Sequence, residues 1–247
     1  MMGSLLMRGM LAGLVAGILA FGFARTFGEP QVDKAIAYEE QIAAAANEPA
    51  EPEVVSRETQ AGIGLVTGVL AYSVAMGGIF SLVFASLYGR VGALSPRTLA
   101  AVLSIAAFVA LVIVPDLKYP PNPPAVGNDD TIGVRTGLYF VMLAASVFGL
   151  SLAVVFARRL AGHWNTWNAA IAGGLAFVVF IAIVHMLLPS INEVPEDFSA
   201  QTLYDFRLAT IGIQAIVWGV IGLAFGFLAE KALARSGNFR RLEGALR

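Results

Sequence analysis

The chain has 247 residues, 57% hydrophobic and only 13% charged, with a formal net charge of −1. A soluble domain carries about 25% charge. The composition therefore excludes an ordinary soluble fold and points to apolar runs that each cross a bilayer. The absence of cysteine excludes disulfides, cysteine–zinc sites and thiol catalysis.

The apolar runs predict an all-α, polytopic membrane helix bundle of six transmembrane helices, over 5–27, 61–88, 97–114, 133–160, 168–188 and 206–229. Residues 1–230 form a single transmembrane domain, and 231–247 form a basic cytoplasmic tail. In the first span Gly9, Gly13 and Gly17 share one ridge, a spacing that lets another helix approach closely. The alternative, a cleaved signal peptide, has against it the length of the run and the lack of a clean small-x-small site.

The first outer loop, 28–60, contains a short amphipathic helix that Pro30 can start. Val32, Ala35, Ile36, Ile42, Ala43 and Ala46 share its apolar face, with Glu39 in the middle and Asp33 and Glu40 to the side. Two readings stay open. The helix lies on the membrane with Glu39 paired to Arg25 or Arg57, or Glu39 is a carboxylate turned inward for function. An acidic, proline-broken linker follows.

The second span is rich in glycine. Pro96 opens the third and Pro115 ends it. The next outer loop, 115–132, includes VPDLKYPPNPPAVG, with five prolines in fourteen residues. Proline lacks an N–H and fixes φ, so this stretch reads as stiff, extended and non-helical. It carries Asp116, Lys118, Tyr119 and Asn122 to the entrance of a pathway.

On the fourth span Arg135, Tyr139, Met142 and Ser146 form one stripe, and Trp164 and Trp167 beyond it read as interface anchors. The fifth carries His185 near its end and stops at Pro189, where the third outer loop, 189–205, begins. On the sixth, Arg207, Thr210, Gln214 and Trp218 share a face. The third and fifth spans both exit at a proline followed by an acid and an asparagine, so two stiff exits are expected to face each other across one mouth.

Six spans put both ends on one side. That side holds ten of the sixteen Lys and Arg residues, so both termini are assigned to the cytoplasm. Of the seventeen acids, fifteen fall outside. A negative outer face would concentrate cations.

The chemistry is limited by what is missing. There is no GxxxxGK[ST], HExxH or GxSxG, and only two histidines, so an enzyme has little to stand on. The polar set at the outer helix ends comprises Glu29, Glu39, Glu40, Asp116, His185, Asn192 and Glu193 as candidate metal ligands. Asn122, Arg135, Tyr139, Arg207, Thr210 and Gln214 support the pathway. Carboxylate, imidazole and amide oxygen together suit a borderline dication such as Co²⁺ or Ni²⁺. His185 alone is weak evidence, since a histidine at a helix end is more often an interface residue. Arg135 and Arg207 read as partners of these carboxylates in the empty mouth. The partner surface is the lipid bilayer, with no nucleic acid, and a homo-oligomer stays open.

The stretches MRGMLAGLVAG, FGEPQVDKAIAYEE, VPDLKYPPNPPAVG and PSINEVPEDF resemble the CbtA family, proposed cobalt transporter subunits of bacteria, from about Met7 to Lys231. The resemblance implies a multi-pass inner-membrane protein serving cobalt uptake for cobalamin synthesis. It also implies a CbtB-like small partner with one span and a His-bearing segment. Co²⁺ would be cargo, with no permanently bound cofactor. No ligand is carried over from the family. Its members are often described with five spans, against six here. A non-transporting scaffold or sensor, or a transporter of another cation such as nickel, are the competing readings. Import of a dication needs no ATP across a polarised membrane. A potential of 100 mV supplies about 4.6 kcal/mol, or about a thousandfold accumulation.

Overall fold

The computed structural model describes residues 2–47 and 54–245, the side chains of residue 129 and of 235 onward excepted. The acidic linker at 48–53 and most side chains of the predicted basic tail lie outside the described residues. The described secondary structure is all helix. Six helices are long and apolar enough to cross a membrane: α1 (Met2–Ala46), α2 (Arg57–Leu87), α3 (Pro96–Lys118), α4 (Ile132–Leu160), α5 (Thr166–Leu187) and α6 (Ala200–Ala245). The helix α6 is apolar enough over Ala200–Ala234.

Two expected helix breaks are absent. The segment read as a separate helix from Pro30 continues the first span, and the third span runs through Pro115 to Lys118. The proline mouth is therefore helical at its start and becomes irregular only after Lys118. A π-helical turn precedes each proline: Ala24–Gly28 before Pro30 and Val109–Ile113 before Pro115. Each proline then sits in the first turn of the α-helix that follows, where its missing N–H and fixed φ are tolerated. A further π-turn, Gln60–Gly64, interrupts α2.

The chain divides into two compact units: residues up to Phe108 together with those from Leu208 on, and Val109–Arg207. In the first unit the glycine ridge of α1 packs on α2. A Cβ at Gly9 would strike the Gly77 carbonyl oxygen, and one at Gly13 would strike the backbone of Ser73. Only glycine lets these two backbones come so close, as the GxxxG spacing requires. The α2 face continues onto α6 through Phe80, Phe84 and Phe225, whose rings meet edge-on. Gly222 and Gly226 of α6 admit Ser104 and Ala100 of α3.

In the second unit α4 and α5 form an antiparallel hairpin. Gly149 receives the Phe180 ring, and Gly173 receives Ala153 and Ala157. The cluster of Val114, Tyr119, Met142 and Ile181 closes one end of this pair, with Val184 and Leu188 packed against it. Large apolar side chains such as Phe140, Phe148, Leu175 and Met186 are exposed, as lipid-facing surfaces require.

Candidate metal-handling sites

The site residues fall into groups that belong to separate units. In the second unit the two proline-braced exits are tied together. The Tyr119 hydroxyl donates to the Pro189 carbonyl at 2.8 Å, and Lys118 donates to Ser190 at 3.0 Å. Tyr119 is buried, which pushes its phenol above the usual range and keeps it a donor.

Glu193 is the focus of this junction. Its carboxylate accepts from the Thr131 hydroxyl, from the Asn128 backbone N–H at 3.0 Å and from Arg135 Nη1 at 2.7 Å. The Thr131 bond is the largest influence on it; burial opposes that bond, and the Asn128 N–H and the Arg135 guanidinium add to it, so the carboxyl is held below the usual carboxylate range. Gly127 makes room for this arrangement. It adopts φ +145°, and a Cβ there would run into the Arg135 guanidinium. Elsewhere in the proline loop, Arg207 Nη2 donates to Asn122 Oδ1 at 2.9 Å and its Nε to the Pro121 carbonyl at 3.3 Å.

In the first unit Glu29 is buried (8% exposed) and pairs with Arg57, which also reaches Asp33 at 2.8 Å. Arg57 thus serves Glu29 and Asp33, not Glu39. Arg25 reaches the Ala61 carbonyl at 3.4 Å. Glu39 and Glu40 are exposed, and of the apolar face around Glu39 only Ala35 is buried. Gln214 accepts from the Tyr72 hydroxyl at 3.3 Å, and Thr210 is partly buried beside it on α6.

Asn192 is exposed, while Asp116, Tyr139 and His185 are partly buried. Val114 and Tyr119, which bracket Asp116, share the Met142 cluster with Val184, the neighbour of His185. The cluster therefore draws the Asp116 and His185 turns towards one level of α4. His185 Nε2 and Ser146 Oγ are buried without a partner among the described residues. Such an orphan costs about 1–3 kcal/mol.

No three His, Asp or Glu side chains gather closely enough to hold a metal among the described residues. Two of the candidate carboxylates are already held, Glu29 by Arg57 and Glu193 by Thr131, Arg135 and the Asn128 N–H. Thr131 and Gly127 are parts of the Glu193 arrangement that spacing alone did not single out. The signal for Gly127 was its place at the end of the proline run.

No curated protein and no solved structure matches this chain. A family model does, CbtA, described as a probable cobalt transporter subunit, over residues 2–230. With nearly the whole length matched, the chain belongs to the CbtA family of membrane cobalt transporter subunits.

Proposed function

We propose that this subunit sits in the bacterial inner membrane with both termini cytoplasmic, captures Co²⁺ at an acidic outer mouth and passes it inward down the membrane potential. The family match supports the cargo, since its description names cobalt and a transporter, a class that is not enzymatic. The carrying observation for capture is Glu193, whose carboxylate is fully engaged by Thr131, Asn128 and Arg135. A guanidinium on a carboxylate is a charge placeholder. An arriving dication offers twice the charge and displaces it, and the guanidinium returns when the ion moves on.

Glu29 with Arg57 offers the same exchange in the first unit. Glu39 and Glu40, exposed further along α1, would concentrate the ion. In the second unit Asp116, Asn192 and His185 take it onward, with Asn122, Arg135, Tyr139 and Arg207 keeping that route polar; in the first unit Thr210 and Gln214 add polar groups of their own. The lack of a three-ligand cage suits transfer in steps, because a conducting site must release its ion. The segment from Glu29 to Ala46, continuing the first span, would then project out beyond the membrane surface, and residues 1–230 act as one transmembrane domain beside a single-span partner.

The test is uptake of radiolabelled cobalt against nickel, in cells making this chain with and without a small single-span partner. Cobalt uptake that requires this chain supports the reading. Equal uptake with and without it removes it, and a preference for nickel replaces the cargo.

A further inference from the structure

We infer that the second unit contains an intramembrane metal station of neutral donors: the Met142 thioether, the His185 imidazole and the Ser146 hydroxyl. This rests on the proposed function and adds a step between capture and release.

The argument begins with polar atoms left unpaired. Among the described residues Ser73 Oγ, Ser146 Oγ, His185 Nε2 and Trp218 Nε1 are buried without a hydrogen-bond partner. Two have a packing reason. Ser73 lies against Gly13 and Gly17 at the closest helix approach of the first unit, and Trp218 packs on the Phe80 ring. Ser146 lies on the buried face of α4 with Gly149 and Ala153, but no glycine approach or ring contact of this kind stands against its hydroxyl or against His185 among the described residues. A membrane-buried serine ordinarily bonds back to a carbonyl one turn earlier, as Ser151 does to Val147 at 2.8 Å. Ser146 makes no such bond although it is fully buried.

The two orphans lie on helices packed against each other. Gly149 against Phe180, and Gly173 against Ala153 and Ala157, set the antiparallel register of α4 and α5. Carried residue for residue, that register brings Met142 level with residues 184–188 and Ser146 level with 180–184. Met142 is fully buried and clusters with Ile181, flanked by Val184. An imidazole, a hydroxyl and a thioether therefore occupy about one helical turn on two facing helices.

Such a donor set is wrong for Mg²⁺ or Ca²⁺, which require oxygen ligands. Imidazole with a soft sulfur suits a borderline late transition metal. Neutral donors also hold a dication loosely enough for it to leave.

The experiment uses the full chain in lipid nanodiscs titrated with cobalt chloride and in liposomes under an imposed potential. Met142→Leu, Ser146→Ala and His185→Gln are each expected to lower cobalt uptake at least about tenfold and to change the visible Co²⁺ absorption. Ser73→Ala, an orphan serine with a packing reason, is expected to leave both unchanged. Because the chain has no cysteine, His185→Cys provides a clean reporter. It is expected to retain part of the uptake and to add a thiolate-to-cobalt charge-transfer band. Variants at the three positions that bind and import cobalt like the parent, or a His185→Cys protein with no thiolate band, would overturn the station, and with it the place of His185 on the route, while leaving capture at Glu193 standing. No cobalt uptake by the parent reconstituted together with its single-span partner would overturn both.

Discussion

Gly127→Ala isolates the junction that holds Glu193. Gly127 has φ +145°, a region that side chains rarely enter, so alanine there strains the backbone by about 1–3 kcal/mol. The new methyl group also meets the Arg135 guanidinium. The guanidinium is the far end of a flexible side chain and moves before the backbone does. The consequence is a broken Arg135–Glu193 pair, whose bond is 2.7 Å in the parent. Gly92 supplies the control: it has φ +117° with open space around the position of a Cβ. Gly92→Ala thus carries a similar backbone strain and no collision. Hydrogen exchange by mass spectrometry reads the difference. Gly127→Ala should raise exchange at 128–131 and at 190–198, while Gly92→Ala should act only on its own turn. Unchanged exchange at 190–198 in Gly127→Ala would refute the reasoning.

Other outcomes follow from the same contacts. Gly77→Val places a branched side chain against the Gly9 carbonyl and the Gly13 backbone, and should destabilise the α1–α2 pair by about 1–3 kcal/mol or more in detergent unfolding. Glu193, with its pKa lowered in the folded protein, contributes stability that is complete above the ordinary carboxylate range and lost as pH falls through its lowered value. Protection at 128–131 should decline over that acid window, and Glu193→Gln should flatten the profile. Arg57→Gln leaves Glu29 buried without its cation, and should raise exchange around Arg57 and Glu29 while sparing 128–131.

The sequence was most legible where one physical rule acted alone. Apolar runs located six helices, and the glycine ridge of α1 announced a close neighbour, which is α2. The stripe of Met142 and Ser146 is the buried face of α4. The matching proline exits do meet, through Tyr119 and Pro189. Proline was misleading at Pro115, and Pro30, which does open an α-helical segment, hid its continuity with the first span, because a preceding π-turn allows a helix to pass through and nothing in local composition announces such a turn. The pairing of Arg57 was illegible for another reason. Glu29, Asp33 and Glu39 were all within plausible reach, and only the actual course of α1 and α2 separates them.

The most direct measurement is radiolabelled cobalt uptake by cells making Glu193→Gln, with protein amount in the membrane measured alongside. The account predicts that uptake falls to the level of cells lacking the chain while protein amount is maintained. Uptake at the parental rate would contradict it.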